Sequence, residues 1–438
     1  MDSLNGGAPS LESDNNERQP LPPTGSKGPS VASGDDDIVS LYLKYTKDAP
    51  TPERYRLWTA IHAIGAAGER RIWTQLGINK LHPNLFIFLV GPPGTGKSQA
   101  INPMVGILRK SQSVGLAPTD MSKQGLLDAL AENEKGVMMH EVDGTPRPFD
   151  YHFMTICISE LSNFMSQYDH ALAGLLTDLF DCGPMIEEKK RHGNGKTIPF
   201  PGISFIMGTA TENLGKTISA DMWGSGFMAR VIMVFSAEEI IPEDMFEVRK
   251  NDDALADEIA NRLRTIGEFK GPMYWEPDAR ELLKNFRINQ KEGAPLHNLL
   301  TTYVTRRWLH LGKLCMIAAL SDERMTVCKE DVERAIEWLL DAEGEMTEIF
   351  KDMNPHEDGQ IFEDLRGQMW AIYMRAREPL PHVWLMRFFS KRISAYSVPR
   401  MLEVAEAAGF ISRVAGTSGD TALYIPSPPF GEIDKGRV

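Results

Sequence analysis

What the chain lacks bounds it first. No apolar run approaches the roughly 18 to 20 residues that a membrane span requires, and the acidic, polar N-terminus has no signal-peptide apolar region. Those absences predict a soluble, cytoplasmic protein with no membrane partner. The four cysteines, Cys157, Cys182, Cys315 and Cys328, form no CxxC pair and have no histidine partners at zinc spacing, so they read as structural thiols in a reducing compartment. A basic surplus is missing as well. With 47 Lys and Arg against 60 Asp and Glu, the formal net charge of −13 argues against coating nucleic acid with the whole surface; any such contact must be local. Residues 1–37 lack a periodic apolar pattern and are rich in Gly, Pro, Ser, Asn and Asp, the composition of a disordered tail that cannot repay the entropy of ordering. Residues 429–438 read as a second tail.

Against these absences, 438 residues with 42% hydrophobic content can bury a large core divided among two or three domains. The most specific segment is Phe86-Ile87-Phe88-Leu89-Val90-Gly91-Pro92-Pro93-Gly94-Thr95-Gly96-Lys97-Ser98, an apolar strand running into a complete Walker A loop and then a helix. Gly91, Gly94 and Gly96 let backbone N–H groups fold around the β- and γ-phosphates of a nucleoside triphosphate, and the positive end of the helix adds its field. Lys97 reaches the phosphates and Ser98 a magnesium ion, with Pro92, Thr95 and Gln99 completing the loop. An ordinary Gly/Pro turn would explain Gly91 to Pro93, but not the four residues that follow in register.

Upstream, Ile38, Leu41, Leu43 and Tyr45 open a short amphipathic segment, and 54–72 reads as one long helix whose small residues, among them Ala63, Gly65 and Gly68, predict close packing. Downstream, 122–134 is a second amphipathic helix, and 137–153 a polar hairpin about Asp143-Gly144. The apolar strand 153–158 ends in Ser159-Glu160, as a Walker B element does. Glu160 would position the attacking water, while Ser159, in place of the usual Asp, could hold a magnesium-bound water without supplying charge. Basic residues Lys189, Lys190, Arg191 and Lys196 flank Gly193-Asn194-Gly195, a hairpin signal that faces either DNA or only solvent. The strand 203–208 ends in Thr209-Ala210-Thr211-Glu212-Asn213, where a sensor residue would touch the γ-phosphate or its water. Thr209, Thr211 and Asn213 all fit, and the sequence does not choose among them, although Thr209 is carried as a candidate catalytic residue. Arg230 precedes the apolar strand 231–235, as either an arginine finger acting in trans or one half of a local salt bridge.

From about residue 252 to 350 the chain reads as helical throughout, a lid in which Arg307, with Arg306 as the fallback, would contact the γ-phosphate in cis. From 362 to 426 a helix, a second helix 383–389, a third 394–408 and two short strands about the Gly416 to Gly419 turn form a winged-helix pattern. Its Arg387, Lys391, Arg392 and Arg400, with no acid among residues 387–400, offer a local phosphate-binding face; such modules also hold proteins.

In this order the motifs resemble an uncharacterised P-loop ATPase family of phages and mobile elements, whose members often lie beside or are fused to primases. More distantly, the chain resembles the minichromosome-maintenance helicases of the AAA+ class. The resemblance spans about residues 54–345 and implies an α/β AAA+ core with a helical lid; with the winged-helix pattern, the domains read as the core with its N-terminal helices over 38–240, the lid over 241–355 and the winged helix over 356–428. It implies ATP and Mg2+ as cofactors, a homo-oligomeric ring on single-stranded or forked DNA, a primase or other replication protein as partner, and residence in a bacterial host. The activity expected is that of a replicative helicase; a helicase loader or remodelling ATPase that binds a protein and does not unwind DNA is the alternative. Ser159, and the lack of an Ala-Asn-Pro sensor, depart from the helicase pattern.

Overall fold

Five consecutive apolar residues, Phe86–Val90, form a fully buried strand that can only exist between two covered faces. In the computed structural model, which describes residues 36–140, 145–166, 169–188, 196–224, 226–241, 252–353, 357–393, 397–414 and 416–427, that strand lies inside a five-stranded mixed sheet. The order is Glu134–His140, Pro146–Ile158, Pro201–Thr209, Phe86–Val90, Val231–Phe235. The last four run parallel, and Glu134–His140 pairs antiparallel with its neighbour as the far arm of the predicted hairpin. The protein is mixed α/β, as expected from the pattern.

Alternation along the central strand divides the interior. Ile87 and Leu89 join a core with helices Ile38–Tyr45, Glu53–Gly68, Lys97–Ser111, Asp253–Glu268, Thr301–Ser321 and Lys329–Met346, while Phe86, Phe88 and Val90 join a second core with Lys123–Glu132 and His170–Phe180. The helices expected as a separate lid over 241–355 therefore share one hydrophobic interior with the sheet. Lys313 of that group reaches across to donate to the carbonyl and side chain of Asn84, just ahead of the central strand.

Other boundaries also move. Asp37, expected in the disordered tail, caps helix Ile38–Tyr45 by accepting from the Ser40 amide, and takes further bonds from Ser321 and Arg334, both at 2.7 Å. The long helix expected over 54–72 stops at Gly68, and the chain turns into a hairpin, Ile72–Leu76 with Asn79–Leu81. Its β-branched and aromatic start, Ile72-Trp73-Thr74, favours a strand over a helix continuation. The tail residues 1–35 and 428–438, the Asp143-Gly144 turn, and Lys189, Lys190 and Arg191 lie outside the described residues.

The C-terminal segment builds its own core around Leu365, Leu385, Phe389, Met401 and Tyr424. Helices Glu357–Ala376, His382–Ser390 and Val398–Ala407 pack with a three-stranded antiparallel sheet, to which Leu380–Pro381 adds a strand the sequence reading did not contain.

The small residues of helix Glu53–Gly68 do what their size predicts. A Cβ on Gly65 would overlap the carbonyl oxygen of Pro83 and come within 2.9 Å of Ile317. Replacing Gly65 by Ala is expected to lower stability by about 1–3 kcal/mol through overpacking, read as an earlier urea midpoint; an unchanged midpoint would contradict the packing.

Candidate functional site

The carboxyl ends of the parallel strands gather the Walker loop, and in open α/β sheets this is the edge where ligands bind. Backbone approach here is too close for side chains. A Cβ on Gly91 would overlap the Ser236 carbonyl and the Tyr55 hydroxyl, one on Gly96 the Pro50 carbonyl, and one on Gly208 the Ser159 carbonyl. Gly94 and Gly96 also adopt positive φ, +91° and +75°, which bends the loop over the helix start. Tyr55 pins the geometry by donating to the carbonyls of both Val90 (2.7 Å) and Ser236 (2.9 Å), tying the two parallel strands together where the loop begins. Nothing in the sequence around Tyr55 signals this role.

Helix Lys97–Ser111 starts at Gly96 with no side-chain cap, so its first amides remain available at a positive helix end. Lys97 is buried and its ammonium donates to the carbonyls of Gly91 and Pro92, both at 2.8 Å, and to the Thr95 hydroxyl at 3.1 Å. Burial pushes its pKa down to about 8, opposed by the charge of Glu160. Ser98 and Gln99 follow on the first turn, half-buried and exposed respectively.

Glu160 follows the Pro146–Ile158 strand, with Ser159 between, and accepts from Ser162 and from the amide of Asn213, both at 3.3 Å. The fold thus brings Lys97, Ser159, Glu160 and Asn213 to one edge. Among the three sensor candidates Asn213 is the one that touches Glu160. Thr209 is fully buried with its hydroxyl turned to the Ala210 carbonyl, and its own carbonyl accepts from the Gly91 amide, so Thr209 holds the loop through its backbone. A cavity of about 510 Å3 opens beside Glu160, lined by Asn102, Arg109, Asp120, Ser159 and Asn163. Among the described residues no group of three His, Cys, Asp or Glu side chains surrounds a metal position. A magnesium ion here would take Ser98, phosphate oxygens and water, the usual way this ion is held with few protein ligands.

Two arginines fall elsewhere. Arg307 is not at this edge in a usable form. Its Nε and Nη2 grip Glu343 at 2.6 to 2.8 Å, and the remaining donors go to the carbonyls of Gln290, Glu292 and Gly293. All five N–H groups are engaged and the side chain is buried, so Arg307 is a structural clamp between helices and the cis-sensor expectation is withdrawn. Arg230 sits at the opposite end of the sheet from the P-loop, where it donates to both carboxylate oxygens of Asp181 and to the Gly226 carbonyl. Arg306 shares the same carboxylate at 3.4 Å.

Of the basic residues of the C-terminal module, Arg387, Lys391, Arg392 and Arg400 are all exposed, with Arg392 lying 3.9 Å over the Phe388 ring. Of the hairpin residues, Lys196 begins the strand Lys196–Pro199. No protein-family model matches this chain, and no curated protein matches it at a significant level.

Two outcomes follow from these environments. Removing the partner of Arg307 in Glu343→Ala strands a buried guanidinium and should cost about 3–5 kcal/mol, measured by urea unfolding; a loss below one tenth of that would mean the clamp is not formed. For Lys97 the folded pKa lies below the ordinary 10.5, so the folded state disfavours the charged form. The resulting penalty is fully present below about pH 8 and is relieved as the pH rises from there towards 10.5. Wild type should therefore gain stability relative to Lys97→Met across that window, and a flat difference would show the burial to be wrong.

Proposed function

We propose that this chain is an AAA+-type ATPase that works as an oligomeric motor on single-stranded or forked DNA, the replicative helicase of a phage or mobile element, carrying a C-terminal winged helix. The observation that carries the reading is the glycine cradle: Gly91, Gly94 and Gly96 lead into an uncapped helix start whose first residue, Lys97, feels the charge of Glu160. In this reading the loop amides and Lys97 bind the β- and γ-phosphates of ATP, and Ser98 binds Mg2+, which neutralises developing charge when bound. Glu160, oriented by Asn213, receives a proton from the attacking water.

Arg230 serves the nucleotide of a neighbouring subunit. Leaving Asp181 costs it an ion pair, but Arg306 remains on that carboxylate, so the exchange strands no charge. Arg387, Lys391, Arg392 and Arg400 of the winged helix, with Lys189, Lys190, Arg191 and Lys196 of the basic hairpin, contact DNA phosphates.

The deciding experiment is ATP hydrolysis by the purified protein with and without single-stranded DNA, at low and moderate salt, with Lys97→Ala as the blank. Strong stimulation that weakens with salt is expected, together with a loss of about 10^2 to 10^4 in kcat for Glu160→Gln. Hydrolysis indifferent to DNA overturns the motor and leaves the loader reading; absence of hydrolysis overturns both.

A further inference from the structure

At the end of the sheet remote from the P-loop lies a cavity of about 750 Å3, bordered by the Asp181–Arg306 pair beside Arg230 but otherwise unused by the roles above. Its position follows from its walls: Phe149 near the start of one parallel strand, Phe200 just ahead of another, and Lys313, whose ammonium is held by Asn84 before the central strand. The hairpin Ile72–Leu81 closes one side. The volume lies within the range of small-ligand pockets, about 300–1,000 Å3.

The charge in this cavity is inverted relative to the chain. Arg70, Lys80, Arg306 and Lys313 line it, in a protein of net charge −13, and the acid facing them is Asp181. That carboxylate is already shared between Arg230 and Arg306. Arg70 is 6% exposed and gives one nitrogen to the carbonyls of Gly183 and Pro201, while its Nε–H is buried without a partner among the described residues. The cations also disfavour one another: burial and then Arg70 lower the pKa of Lys80, and burial and then Arg230 lower that of Arg306. A bound anion relieves such a cluster.

Flat apolar surface accompanies the charge. Lys80 lies 4.1 Å over the Trp73 ring, and Phe149 and Phe200 meet at 4.9 Å, with Phe200 37% exposed. Phe200 holds a left-handed backbone, φ +45°, and so does Cys182, φ +51°; these two non-glycine positions bracket the root of the hairpin formed by Met185–Glu188 and Lys196–Pro199. Left-handed conformations at non-glycine residues persist only where the surroundings impose them. Rings for stacking beside cations for phosphate are the two halves of single-strand recognition.

We propose that this cleft binds a nucleotide unit, its base stacked against Trp73 and Phe200 and its phosphate held by Arg70, Lys80 and Arg306. The unit comes either from a single strand or from a free nucleotide, and the two share this chemistry. The site is separate from the P-loop and does not depend on hydrolysis there.

The test is fluorescence anisotropy of a labelled oligothymidylate with the full chain at low salt, without ATP or magnesium, and with thymidine monophosphate as competitor. Trp73→Ala and Lys80→Glu alter a half-buried and an exposed residue, so the fold tolerates them; unchanged thermal unfolding checks this. Each variant is expected to bind about tenfold or more weakly, the size of one lost stacking or charged contact, while hydrolysis measured without DNA is retained. Competition by the mononucleotide at the strand's own per-site affinity assigns the cleft to free nucleotide; much tighter binding of the strand assigns it to the polymer. The proposal is overturned if neither ligand binds wild type, or if both variants bind as tightly as wild type. Because ATP is absent, failure of the ATPase reading leaves this outcome unaffected.

Discussion

Everything at the carboxyl edge of the sheet depends on three backbones coming closer than a side chain allows. Gly91 meets Ser236 and Tyr55, Gly96 meets Pro50, and Gly208 meets Ser159. Each approach sets a distance that another group then uses: the first fixes where the loop leaves its strand, the second where the following helix begins, and the third how near Glu160 comes to Lys97. Tyr55 converts proximity into rigidity by bridging two carbonyls with one hydroxyl. A preorganised set of donors and charges of this kind is what phosphoryl chemistry needs, since its catalysis is mostly positioning and field.

The two ends of the sheet differ in their charge. At one, the loop and Glu160 form a site whose charges balance across a few residues. At the other, cations accumulate around Asp181 and aromatic rings line the void. The shared interior that joins helices 253–346 to both sheet faces holds the ends in fixed relation. Arg307 and Glu343 reinforce that unity from within, while Lys313 ties the same helix to the residue before the central strand. Movement of one end relative to the other would have to shear a packed core.

Local features were legible in the sequence, and long-range ones were not. The apolar strand before the glycine loop, the helix that starts after Ser122 and the hairpin before Ile158 all depend on residues near one another in the chain, and the structure has each of them; the small size of Gly65 signals close packing, but its partners Pro83 and Ile317 are not readable from its neighbours. The hairpin at Ile72 was swallowed into a helix because Ala66-Ala67-Gly68 continues the helical pattern up to its edge. Arg307 was given to the nucleotide because its place at a helix start fits that role; its true partner lies 36 residues away, on a neighbouring helix. The same limit applied to Asn213, which only the meeting of two strand ends distinguishes from Thr209.

The lysine of the loop carries a final consequence. Its ammonium is satisfied by Gly91, Pro92 and Thr95, groups of the very loop that would wrap a phosphate. The loop thus carries acceptors that compete for its own ammonium. An anion binding there would have to displace those oxygens before it gained the charge, so its apparent affinity would fall below the intrinsic one by the cost of that exchange. A polyphosphate engaging the helix amides as well could supply the difference more readily than a lone phosphate.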